Sequence, residues 1–177
     1  MDAYVFARIA DRAFLNRLLE LAAVGESPIR YAAVLTGDAD AIAAAEVDGF
    51  EALDGLLDTY FRPDPPLLLS TAIGLCPPPP PECRMPRKKR CAHPVEAFVR
   101  IWVEPGRADT VVADLLALDG IEEAGAVAGD FDVLTVLCEP TLGDARSRLV
   151  DQVHRVPSIV RTSTSFVLRS EPAPAQG

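Results

Sequence analysis

Apolar and polar residues are patterned along the chain as two successive sets of six segments. In the later half, 95–103 is an apolar run holding Phe98, Val99, Ile101 and Trp102, bounded by Pro94 and by Pro105-Gly106, which predicts a strand. From 107 to 118, Ala108, Val111, Val112, Leu115 and Leu116 recur at helical spacing, and Gly120 follows as a stop. Segments 121–128 and 131–139 predict two strands around a Gly129-Asp130 hairpin. Thr141 can cap a helix carrying Leu142, Ala145, Leu149, Val150 and Val153, with Asp144 near its positive end. The last strand is 158–168, rich in Val, Ile, Thr and Phe. The order is β-α-β-β-α-β, the ferredoxin-like arrangement.

The earlier half follows the same order, with strands at 3–9, 29–35, 39–47 and 67–75 and helices at 12–24 and 50–61. Asp48 and Glu51 have the spacing of an N-cap and capping box for the second helix. The four alanines of 39–47 suit a helix equally, and only the repeat assigns a strand there. That repeat is a constant offset of 92 residues. It aligns Phe6-Ala7-Arg8-Ile9 with Phe98-Val99-Arg100-Ile101, Ile29 with Ile121, Gly37-Asp38-Ala39-Asp40 with Gly129-Asp130-Phe131-Asp132, and Pro65 with Pro157, at one register without an insertion. A tandem duplication is the expectation.

Between the halves, 76–94 holds seven prolines in nineteen residues and reads as a linker, stiff at first and then basic. The predicted organisation is therefore a domain at 1–75, a linker at 76–94, a domain at 95–170 and a tail at 171–177. The fold class is α+β, two ferredoxin-like βαββαβ domains of dimeric α/β-barrel type with antiparallel sheets. Along 131–138 both alternations are apolar, Phe131, Val133 and Leu137 on one side and Leu134, Val136 and Cys138 on the other. Two helices cover only one face of such a sheet, so the other is expected to be buried against a second sheet, from this chain as a pseudo-dimer or from another copy.

Composition narrows the classes. With 177 residues, 49% hydrophobic and 24% charged, the chain can bury a core, and wholesale disorder is excluded. No apolar run approaches the roughly 18 residues that cross a bilayer, and no membrane association is expected; a cytoplasmic protein is. The net charge is −9, but five of the 17 basic residues (Arg84, Arg87, Lys88, Lys89, Arg90) crowd the linker, leaving the two halves strongly acidic. An acidic surface repels phosphate, so direct nucleic-acid binding is not expected.

The second half resembles a known family through Phe98-Val99-Arg100-Ile101, Val103-Glu104-Pro105-Gly106, Ala128 to Leu134 with its Gly-Asp-aromatic-Asp hairpin, and Val156 to Thr164 with its Arg161-Thr162-Ser163-Thr164 strand. These resemble the effector-binding (RAM) domain of the Lrp/AsnC transcription regulators. The first half is similar only through the repeat, with Thr36 to Asp40 as hairpin and Leu69-Ser70-Thr71-Ala72 as the late strand. The resemblance implies a small-molecule sensor, commonly for amino acids, that pairs sheet to sheet, forms oligomers and acts in transcription regulation. The family's helix-turn-helix domain has no counterpart here, which makes full-length Lrp/AsnC regulators candidate partners.

The ligand-binding candidates are Gly129, Asp130, Asp132, Thr162 and Thr164, and in the first half Gly37, Asp38 and Asp40. Hairpin N–H groups can receive a carboxylate and an aspartate an ammonium group; the bland reading is that Gly and Asp simply make the turn. The hydroxyls of 162–165 need partners inside an apolar strand, and cross-strand bonding is the common answer. Arg8, Arg100 and Arg161 can hold a carboxylate or serve as edge charges. Cys76, Cys83, Cys91 and His93 lack the short spacing of a zinc site, Cys138 reads as a small buried hydrophobe, and disulfides are not expected in the cytosol. His154 is the only histidine in a predicted element and, as a lone histidine, reads as structural. No catalytic residue, metal or cofactor is expected, and the chain is read as not an enzyme. The alternatives are a small enzyme of the dimeric α/β-barrel class, monooxygenase-like, and an oligomerisation module for full-length regulators.

Overall fold

The computed structural model describes residues 1–9, 11–24, 27–62, 68–74, 91 and 93–172. The linker expected at 76–94 lies outside them except for Cys91, His93 and Pro94, as does 173–177 of the expected tail. The chain divides into two units, Met1–Ile73 with Leu168–Gly177, and Gly74–Val167. Both are α+β with an antiparallel sheet.

The first unit runs β1 (Asp2–Arg8), α1 (Arg12–Val24), β2 (Ile29–Leu35), β3 (Ala41–Glu46), α2 (Phe50–Tyr60) and β4 (Leu68–Gly74). Its sheet has the order β4-β1-β3-β2. The alanine-rich segment is a strand, for a packing reason. Ala41, Ala43 and Ala45 share one face with Ala3, Val5 and Ala7, and the small side chains leave room for Phe14, Leu18, Leu19, Leu53, Leu56 and Phe61 of the helices above. Phe14 and Phe61 meet at 5.7 Å between ring centres. The N-cap of α2 is Gly49 at φ 118°, not Asp48, and no side chain caps it. Gly reaches that backbone region without cost, so the expected capping box is not formed.

The second unit runs β5 (Val95–Val103), α3 (Ala108–Leu116), β6 (Ile121–Gly129), β7 (Val133–Glu139), α4 (Leu142–Ser147) and β8 (Ile159–Pro172). Its sheet order, β6-β7-β5-β8, is the same. Thr141 does cap α4, its Oγ1 accepting the Asp144 N–H at 3.1 Å. After Ser147 the helix widens into a π turn over Arg148–Gln152 and closes with a 3₁₀ turn, Val153–Arg155. β8 runs to Pro172 rather than stopping near 168, because the polar residues Arg169, Ser170 and Glu171 continue an extended backbone that hydrophobic alternation does not reveal.

The two sheets repeat each other down to an irregularity. Pairing slips between Ile29 and Tyr31 in β2 and between Ile121 and Glu123 in β6, positions 92 apart. The first strands depart from that offset. Ala7 stands opposite Ala41, while Ile101 stands opposite Val133, so β1 and β5 are related by 94 residues. The expected match of Phe6 to Arg8 with Phe98 to Arg100, and the absence of an insertion, are therefore corrected. A slip of two keeps every side chain on its own face, so alternation alone cannot detect it. The true counterparts are Tyr4 with Phe98 and Phe6 with Arg100.

All of β7 is buried on both faces. One face joins the helices through Val133 and Leu137. On the other, Phe98, Leu134, Val136 and Cys138 are buried as well. Cys138 is not a free thiol: it is joined to Cys91, with 5.8 Å between Cα atoms and a sequence separation of 47. This overturns the expectations of a lone buried cysteine and of no disulfide. Nothing local signals a bond that long-range pairing creates.

Candidate functional site

The second unit's hairpin is built by one carboxylate. Val127 donates its N–H to the Asp132 carbonyl at 2.9 Å, enclosing four residues, 128–131, so the turn is wider than the expected Gly-Asp pair. Asp132 N–H then reaches the Ile101 carbonyl at 3.0 Å, and Val103 N–H donates to Asp132 Oδ2 at 2.9 Å. The carboxylate thus caps the end of β5 beyond its ladder. In the first unit, Leu35 N–H meets the Asp40 carbonyl at 2.8 Å, Asp40 N–H meets Ala7 at 2.9 Å, and Ile9 N–H donates to Asp40 Oδ2 at 2.8 Å. Both copies therefore spend the second aspartate of the motif partly on the fold. Gly37 is at φ 101°, a turn position suited to glycine. Asp38 is exposed beside it.

Gly129 and Asp130 are exposed, while Phe131 is buried beneath them. Trp102 at the end of β5 holds this tip. Its Nε1–H donates to the Asp130 carbonyl at 2.6 Å, its ring meets Phe131 edge-on at 6.1 Å, and the Arg161 guanidinium lies 4.6 Å above it. The Asp130 side chain is exposed and makes no ion pair among the described residues.

Thr162 stands opposite Ile101 and Thr164 opposite Val99, on the helix side of the sheet. Thr162 Oγ1 lies 2.9 Å from His154 Nε2. Asp132 and Thr162 therefore flank the same end of β5 from its two sides. Ser163, by contrast, faces away from the helices and accepts from Arg100 Nη2 at 3.0 Å. His154 gains a partner that sequence spacing could not show, since β8 brings it there. Trp102 was legible only as a core aromatic, and its indole contact with the tip had no signal in the sequence. Among the described residues no group of three or more His, Cys, Asp or Glu could hold a metal. Of the zinc candidates, Cys91 is bonded to Cys138, and Cys76 and Cys83 lie outside the described residues. Among the described residues no helix is long and apolar enough to cross a membrane.

The divided roles give a direct expectation. Asp132→Ala removes a charge-assisted acceptor and should cost about 1–2 kcal/mol in urea unfolding, whereas Asp130→Ala should stay within about 0.5 kcal/mol of the parent. Equal losses would show that both serve the fold alike.

Residues 96–173 match the model of a known family, described as the Lrp/AsnC ligand binding domain. The second unit is an Lrp/AsnC ligand-binding domain. Among solved structures, this domain is similar to a hypothetical protein from Pyrococcus horikoshii, at 28% identity over 42% of this chain and 90% of that one, with a TM-score of 0.41. It is also similar to Escherichia coli AsnC, at 21% identity over 42% of this chain and 51% of that one, TM-score 0.41. No curated protein matches the sequence. A wider likeness covers both halves. The siroheme decarboxylase NirDL matches over 98% of this chain and 73% of its own, at 9% identity and TM-score 0.69. The reading of the chain as not an enzyme is overturned by this match, since the fold that the Lrp/AsnC domain shares with the rest of the chain is also an enzyme's. At that identity the likeness shows the fold and assigns no residue a reaction.

Proposed function

We propose that this chain is a regulatory protein of Lrp/AsnC type that takes an amino acid effector at the hairpin and late-strand end of its second unit. The family match over 96–173 carries the reading. The reading is supported by exposed Asp130, which can receive an ammonium group, by the N–H groups of the turn at Gly129, which can receive a carboxylate, and by the hydroxyls of Thr162 and Thr164 on β8, across β5 from the hairpin strand β7. Asp132 fixes the turn from beneath. Gly37, Asp38 and Asp40 form the equivalent site of the first unit. Each sheet's second face packs on another sheet of the same ferredoxin-like kind, the dimeric α/β-barrel arrangement, and the protein associates with copies of itself or with full-length Lrp/AsnC regulators, through which it acts on transcription. A cytoplasmic location belongs to this proposal, and the Cys91–Cys138 bond makes it a demanding one, because the cytosol keeps thiols reduced.

The test is a thermal-shift screen of the full chain against the twenty amino acids. At least one should raise the melting temperature by mass action at millimolar concentration, about 2.7 kcal/mol of stabilisation at a hundredfold excess over Kd. Asp130→Asn should weaken that ligand about tenfold, the worth of one charge-assisted contact. A flat screen removes the reading.

The whole-chain likeness to NirDL favours a second reading, an enzyme of that fold acting on a small molecule. NirDL has been solved with an iron-uroporphyrin III analogue. A tetrapyrrole absorption band in the purified protein, or one that shifts when iron-uroporphyrin III is added, would support this reading over the first.

A further inference from the structure

One aromatic ring gathers two opposite charges at the end of the second unit's sheet. Trp102 is the only tryptophan of the chain. It stands opposite Arg161 across the ladder of β5 and β8, and the Arg161 guanidinium lies over its ring, 4.6 Å from the centre. From its edge the same ring donates Nε1–H to the backbone carbonyl of Asp130 at the hairpin tip. A guanidinium from β8 and an aspartate from the hairpin are thus held by one side chain. Both residues are exposed, so a small molecule reaches them without a buried cavity, and neither makes an ion pair among the described residues, with the other or with anything else.

The ring matters most for the cation. An arginine loose in solvent loses rotamer freedom when it takes a ligand, whereas one already resting on an aromatic ring has lost part of that freedom beforehand. Contact with the ring still leaves it N–H donors, and a guanidinium receives a carboxylate through two parallel hydrogen bonds. The strand that carries Trp102 is fixed in turn, by the Val103 N–H on Asp132 Oδ2. We propose that Arg161, supported on Trp102, is the carboxylate receptor of the effector site, with Asp130 as its ammonium receptor, so that the ligand is a free α-amino acid with both groups charged. This rests on the amino-acid reading of the hairpin and adds a cation to it, the N–H groups at Gly129 sharing the carboxylate with Arg161. The arrangement belongs to the second unit. By the same strand registers the first unit sets Arg8 opposite Leu68, and neither residue is aromatic.

The test uses the full ¹⁵N-labelled chain, whose single indole N–H resonance reports Trp102 alone. The probes are the twenty amino acids at millimolar concentration and, for each one that binds, its methyl ester, which lacks the carboxylate charge. An amino acid that raises the melting temperature should also move the indole resonance in a saturable way, and the parent should bind it about tenfold more tightly than the ester. Arg161→Gln should melt as the parent does without ligand, bind the amino acid about tenfold more weakly, and scarcely distinguish it from the ester. Arg161→Lys, which keeps the charge without the flat fork, should fall between the two. The proposal is overturned if Arg161→Gln binds the amino acid as the parent does, or still prefers it to the ester as strongly as the parent does. If an amino acid stabilises the chain while the indole resonance stays unmoved, this proposal falls and the amino-acid reading stands. If none stabilises the chain or moves the resonance, both fall.

Discussion

Replacing Arg148 by alanine is expected to lower stability by about 3 kcal/mol, more than any surface change in the molecule. Glu139 ends β7 with its side chain only 6% exposed, and Arg148, 18% exposed, donates Nε–H to its Oε1 at 2.7 Å. Arg148 also reaches Gln152 Oε1 at 2.8 Å across the π turn, which ties the widened end of α4 to the sheet. Gly120 makes room for the pair. It sits at φ 76°, and a Cβ there would overlap the Glu139 carboxylate. Without Arg148 the carboxylate stays buried and uncompensated, and that is where the cost arises. Urea unfolding followed by circular dichroism measures it, and pairing Arg148→Ala with Glu139→Gln should recover part of the loss. A loss under about 1 kcal/mol would mean that solvent screens the pair as it does on a surface.

Reduction of the Cys91–Cys138 bond should cost about 2–4 kcal/mol. The bond closes a loop of 47 residues, and constraint of the unfolded chain grows slowly with loop length. Cys138 is buried in β7, an inner strand of the sheet, whereas Cys91 lies four residues ahead of β5, so the bond ties the segment that leads into that strand to β7. Unfolding with and without a phosphine reductant, repeated on Cys91→Ser, gives the number. Cys91→Ser should reproduce the reduced protein and respond no further to reductant. Identical curves for oxidised and reduced parent would show that β5 needs no such anchor.

Neither of these interactions was legible in the sequence: the disulfide spans a separation of 47 residues, and the ion pair, though its partners are nine residues apart, depends on how α4 folds back on β7. What was legible followed from local periodicity. The helical spacing of Phe14, Leu15, Leu18, Leu19 and Ala22 placed α1 at its observed bounds, and the apolar runs placed β2 and β5. Ala41 to Glu46 was readable as a strand only through its likeness to 133–138, because alanine carries little preference of its own. The repeat also misled. The shared Phe-x-Arg-Ile text drew β1 and β5 into register two residues from where hydrogen bonding sets them, and the slip concealed that Phe6, not Arg8, occupies the place of Arg100. The same limit applies to the site. Gly129, Asp130 and Asp132 announced a turn, but only the ladder shows that Asp132 serves Val103 while Asp130 faces outward. Trp102 and His154 come to this end of the sheet through pairings that no short window contains.

The most direct test of effector binding at the hairpin is a ¹H–¹⁵N correlation spectrum of the full chain titrated with the amino acid that stabilises it best. Amide shifts centred on Gly129 to Asp132, Thr162 and Thr164, saturating with the ligand, are the predicted result. Saturable shifts confined to other parts of the chain, with the hairpin unmoved, would contradict it.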